Sequence, residues 1–136
     1  MFYGINEVAV IVSAILALAI GSVWYSPLLF GKPWMEAVGL TPQGFESSEK
    51  NIPKLFLWAA LSNVVALFVL AYLTQRVHTE QSSVLELSLW LSVMVSALFV
   101  GSAIWEQKPL SYMYINIGYF AVVIIGGAHV IALWPW

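Results

Sequence analysis

Few side chains in this 136-residue sequence could do chemistry, and most of them gather in two short segments. The first is Trp24-Tyr25-Ser26-Pro27-Leu28-Leu29-Phe30-Gly31-Lys32-Pro33-Trp34. The second is Glu106-Gln107-Lys108-Pro109-Leu110, continuing to Asn116-Ile117-Gly118-Tyr119. Hydroxyls from Tyr25, Ser26 and Tyr119, the Asn116 carboxamide, the Glu106 carboxylate and the Lys32 and Lys108 ammoniums could bind a headgroup, a small ligand or a partner. Glu106 beside Tyr25 or Ser26 is also the one pairing from which an enzyme acting on lipid could be built. A plainer use is a structural clasp ringed by aromatic side chains, and that use is preferred. No Ser, His and Asp or Glu form a recognisable nucleophilic triad. His78 and His129 are the only histidines, they lie far apart in the sequence with Glu80 the one carboxylate near either, and cysteine is absent. Neither catalytic residues nor a metal or cofactor is therefore expected.

The elements that must position these residues are apolar. Four stretches, Ile5–Tyr25, Pro53–Thr74, Val84–Trp105 and Tyr112–Trp134, each reach the length of about 20 residues that a bilayer-crossing helix requires. The chain is 61% hydrophobic and 9% charged, against roughly 25% charge in soluble domains. The expected fold is all-α: an integral membrane four-helix bundle in a single domain covering residues 1–136. Trp24, Tyr25, Trp34, Trp105, Tyr112, Tyr114, Trp134 and Trp136 fall near span ends, where amphipathic rings favour the headgroup layer. A net charge of −2 provides no basic footprint for nucleic acid. The first apolar run is too long, and lacks the basic start, for a cleaved signal peptide.

Boundary signals divide the spans. Pro53 suits a first helical turn, Ser83 with Glu86 has capping-box spacing, and Ser111 is placed to cap the fourth span. The short second connection, about Gln75 to Ser83, predicts that spans two and three are antiparallel neighbours. In the first loop, Pro33 to Val38 lies between a helix-starting proline and a stopping Gly39, which predicts a short helix in the interface. Thr41 to Asn51 is polar and reads as a solvated linker. Lys32, Lys50, Lys54 and Lys108 fall on one side and Arg76 on the other. The positive-inside rule then puts the first and third loops in the cytoplasm and both termini outside. The two polar segments share that cytoplasmic face.

Within lipid, helices associate through small residues and polar contacts. Ala9, Ser13, Ala17 and Gly21 form one four-residue repeat, and Ser88, Ser92 and Ser96 form another. Both are expected to be packing seams. Asn63, near the middle of span two, is expected to hydrogen-bond another helix. In span four, Asn116, Tyr119, Gly126 and His129 share a face on which Gly126 would permit close approach. Inward of the span ends there is no Asp, Glu, Lys or Arg. Proton-coupled transporters generally keep such a group at membrane depth.

The tryptophan-tyrosine-serine-proline run, with Leu28-Leu29-Phe30-Gly31-Lys32 and Trp34, resembles the signature of an uncharacterised membrane family, domain of unknown function 1761. The turn from Glu106 through Lys108-Pro109-Leu110 to Ile115-Asn116-x-Gly118-Tyr119 is similar to that family's last hairpin. Pro33 and Phe120 depart from its usual alanine and tyrosine. The resemblance implies a small four-helix membrane protein and brings no activity. From the residues themselves, three functions compete. The favoured one is a non-catalytic multi-pass protein of a bacterial inner membrane, acting as an accessory subunit or a homo-oligomer, with the bilayer and a larger membrane complex or its own copies as partners. The alternative is an oligomeric small channel or carrier lined by Ser88, Ser92, Ser96 and Asn63. A lipid-directed enzyme ranks last.

Overall fold

The computed structural model describes residues 4–41, 43–44, 52–77 and 81–135, and among these it contains five helices longer than a turn and no strand. They are α1 (Glu7–Trp24), α2 (Gly31–Val38), α3 (Ile52–Arg76), α4 (Gln81–Trp105) and α5 (Leu110–Ala132). All but α2 are long and apolar enough to cross a membrane, so the chain is a multi-pass membrane protein. The polar linker expected at 41–51 lies mostly outside the described residues, and His78 lies outside them altogether.

Local chemistry sets where the helices begin and end. Asn6 caps α1, its Oδ1 accepting from the Ala9 N–H at 3.1 Å, a cap that sequence reading missed although asparagine is favoured there. Pro53 does sit in the first turn of α3. Gly39 ends α2 in the left-handed conformation, at φ 73°, with its N–H on Glu36 O and the Leu40 N–H on Met35 O. Two expected caps are corrected. α4 starts at Gln81, so Ser83 is already helical and its capping box is not used. α5 starts at Leu110 behind an extended Pro109 that offers no side-chain cap, leaving Ser111 inside the first turn. α5 begins about half a turn early because Leu110, a good helix former, extends it ahead of the serine.

The four long helices alternate in direction around α5, which packs against every other helix. α1, α3 and α5 form a mutually packed triangle, α4 lies along the far side of α5, and α2 folds back onto the start of α5. The core joins Ile5, Ala9, Val10, Ala14 and Ala17 of the N-terminal region to Leu67, Leu70 and Ala71 of α3 and to Ala128 and Ile131 of α5. The Ala9-Ser13-Ala17 part of the first small-residue repeat is fully buried in that seam. Gly127 completes it: a Cβ there would lie 2.6 Å from Leu67 Cδ2. Gly126 does not serve as expected. Nothing lies within 4 Å of its Cβ position and it is exposed, because one residue along a helix turns the side chain by about 100°.

Consecutive α3 and α4 are not the packed neighbours expected. An apolar cleft separates them, with Leu67, Leu70 and Leu73 on one wall, Leu91 and Met94 on the other, and Val123 and Ile124 of α5 at its floor. The short connection fixes their direction and proximity at one end, but the volume of α5 between them sets their spacing along the rest. Ser88 and Ser92 of the second repeat are buried, and Ser96 is half-buried. Ser88 donates to Leu85 O at 2.9 Å and Ser92 to Ser88 O at 2.7 Å. Each thus satisfies its hydroxyl on its own helix, as serines in an apolar setting commonly do.

Candidate functional site: an aromatic and amide clasp at the α1–α2 corner

The corner after α1 is organised by its own backbone. Tyr25 closes the helix with its N–H on Gly21 O, and the Phe30 and Gly31 N–H groups return to Trp24 O and Ser26 O. Ser26 ties the turn, donating to Val23 O at 2.7 Å and accepting from the Leu28 N–H at 3.3 Å. Gly31 is buried where the chain reverses. A Cβ there would sit 2.6 Å from Tyr25 O and from Ser26 C, and backbone atoms cannot give way as a side-chain tip would.

This reversal accompanies two aromatic rings, Trp24 and Tyr25, that reach α5. The Trp24 indole N–H donates to Ile115 O at 2.9 Å, and its ring lies where a Gly118 Cβ would approach within 2.8 Å. The Tyr25 hydroxyl donates to Asn116 Oδ1 at 2.7 Å, and Asn116 Nδ2 donates to Tyr112 O at 2.7 Å. Asn116 is 8% exposed, so its carboxamide uses both ends inside the protein. Tyr119, one turn further along α5, donates to Ala17 O at 3.3 Å, and the Asn63 side chain of α3 meets the same hydroxyl. Phe30 packs on Trp24 at 4.8 Å, while Trp34 of α2 and Tyr119 meet the Tyr25 ring edge-on, both at 5.4 Å. Gly21 lets Tyr119 in, with the hydroxyl 3.2 Å from where a Cβ would stand. Four helices are joined at this one level of the bundle.

Not every expected member is brought in. Glu106 accepts from Ser102 at 2.9 Å and makes no ion pair among the described residues, so the expected bond to a loop lysine is not made with Lys32 or Lys54, and Lys50 lies outside the described residues. It follows the last turn of α4 and reaches back along that helix to Ser102. Lys108 lies over the Tyr112 ring at 5.7 Å, Lys32 and Pro27 are exposed, and Trp105 is 90% exposed. The segment from 106 to 110 therefore sits outside the clasp, and the one from Ile115 to Tyr119 forms half of it. Sequence reading missed the carbonyl acceptors at Ile115 and Ala17. Main-chain groups carry no sequence signature, although the Gly21 and Gly118 positions mark where rings come close to backbone.

Chemically the clasp is built from neutral donors and acceptors. Its hydrogen bonds run between hydroxyl, indole, carboxamide and main-chain groups, and no carboxylate takes part in them. A second feature adjoins it on the other side of α1. There Leu18, Gly21, Ser22 and Tyr25 face Phe56, Ala59, Ser62 and Asn63 across an open groove of about 400 Å³ whose floor is Tyr119.

Against known proteins, the model of a family described as a protein of unknown function (DUF1761) matches residues 8–132. That match takes in all the spans and the whole clasp, and the chain belongs to this family. No curated protein and no solved structure matches it.

Proposed function

From membership of a family without an assigned activity, we propose that this chain is a non-catalytic helix-packing protein of the cell membrane, in a bacterium the inner membrane. It works by lateral association, as an accessory subunit of a larger complex or as a homo-oligomer. The observation that carries this reading is the cleft between α3 and α4. Two consecutive antiparallel helices are held apart by α5, leaving apolar walls along which a helix of a neighbouring chain fits. The clasp supports the reading from the other side: its polar groups bond within the chain, as a fastening requires. The channel alternative gains nothing from Ser88 and Ser92, whose hydroxyls return to their own helix.

Extraction in mild detergent, followed by mass measurement of what stays attached, tests the proposal. A photo-crosslinker at Met94 should give protein–protein adducts, the product mass distinguishing a second copy from a different subunit. A monomer whose Met94 adducts are to lipid alone would remove the proposal.

A further inference from the structure

The groove between α1 and α3 differs from the cleft between α3 and α4 in one respect: it holds polar groups at membrane depth. Asn63 stands eleven residues into α3, about 16 Å along a helix axis, which puts it below any headgroup layer. Ser62 beside it is exposed to the groove, and no hydrogen bond among the described residues uses its hydroxyl. Tyr119 Oη spends its proton on Ala17 O at a long 3.3 Å and keeps acceptor capacity toward Asn63 and the groove. Of the remaining lining, Leu18, Gly21, Phe56 and Ala59 are apolar, while the Ser22 and Tyr25 hydroxyls are spent on Leu18 O and Asn116 Oδ1. No Lys, Arg, Asp or Glu lines it.

Hydrocarbon cannot satisfy a hydroxyl or a carboxamide, and leaving one bare in lipid is costly. A charged group at that depth would be costlier still without a counter-charge. Ser22, Phe56, Ala59 and Ser62 along it are exposed on two spans, so a bilayer around those spans meets the groove from the side. Its dimensions and chemistry ask for a flexible apolar tail along Leu18 and Phe56 and an uncharged carbonyl or hydroxyl at Ser62 and Asn63. We propose that the α1–α3 groove is a binding site for an uncharged amphiphile carrying a carbonyl or hydroxyl head, entered laterally from the membrane. Two membrane-soluble molecules share that chemistry, a long-chain quinone and a diacylglycerol. The site is independent of the cleft, so its failure leaves the association proposal standing.

The test uses the full chain in nanodiscs of saturated phosphatidylcholine, titrated with a decyl-benzoquinone, with dioctanoylglycerol, and with dioctanoyl phosphatidic acid as the anionic comparison. A saturable rise in Tm is expected with one of the two neutral probes, naming the source, and none with phosphatidic acid. Ala59→Phe fills the groove from an exposed position without touching a hydrogen bond and should abolish the rise. Ser62→Ala should weaken binding about tenfold, the step equivalent to about 1.4 kcal/mol. Both variants should keep the Tm of the ligand-free protein. Neutral probes that give no saturable shift, an equal response to phosphatidic acid, or equal binding by Ala59→Phe would each overturn the proposal.

Discussion

Replacing Asn116 by leucine removes the acceptor of Tyr25 and the side-chain donor that Tyr112 O has beside its helical N–H. Membrane hydrogen bonds of this kind are modest, and Asn116→Leu should lower stability by about 0.6 to 2 kcal/mol, measured by steric trapping in bicelles. An unchanged value would mean that Tyr25 and Tyr112 find other partners at no cost. Ser13 predicts the opposite sign. Its hydroxyl is buried in the α1 seam and is given no partner among the described residues. A desolvated, unbonded hydroxyl is a standing cost, so Ser13→Ala should be neutral or stabilising by about 1 kcal/mol in the same assay. Loss of stability instead would reveal a bond that this packing does not contain. At this scale the sequence is informative about which residues matter and poor about what they touch. Asn116 and Tyr119 could be assigned to one face because three residues separate them. Glu106 could not be placed, because an exposed carboxylate after a helix end is free to turn back to Ser102 or forward to a lysine at nearly equal energy.

At the scale of elements, α2 is held by its hinge and by rings rather than by length. Eight residues cannot sustain a helix alone, and here Trp34 meets Tyr25 while Gly31 lets the chain reverse. Gly31→Ala should therefore detach α2 from α5, with the emission of the engineered single-tryptophan protein retaining Trp34 shifting to the red. Emission unchanged from the parent would contradict the backbone clash. The spans themselves were legible because a long uncharged apolar run has few other interpretations. Their caps at Ser83 and Ser111 were not. A capping motif competes with the helix propensity of whatever precedes it, and before Ser111 Leu110 wins. The pairing of helices was legible only where a small-residue seam dictated it. Ala9, Ser13 and Ala17 marked the α1 seam, whereas the separation of α3 from α4 follows from the bulk of α5 between them, which no periodicity announces.

For the whole molecule, orientation is the testable quantity. The excess of lysine on the side of α2 motivates a cytoplasmic placement of that side. Thr41→Cys should then resist an impermeant thiol reagent in intact cells, while Val77→Cys should react. Reaction at Thr41→Cys alone would invert the topology. The absence of acidic or basic side chains inward of the terminal turns of the spans also predicts that liposomes containing the protein take up no solute under a pH gradient alone. Gradient-driven uptake lost in Asn63→Leu would restore the carrier alternative.

The helix that every other one leans on is the last of them to be synthesised. While α1, α3 and α4 enter the bilayer, the surfaces they will bury against α5 face lipid or one another, and Trp24, Tyr25 and Asn63 have none of their α5 partners. Assembly of the bundle thus waits on the insertion of residues 110–132. Until then the nascent chain is a set of helices in the order of their emergence, exposed to whatever membrane chaperone or protease reads unsatisfied polar groups in lipid.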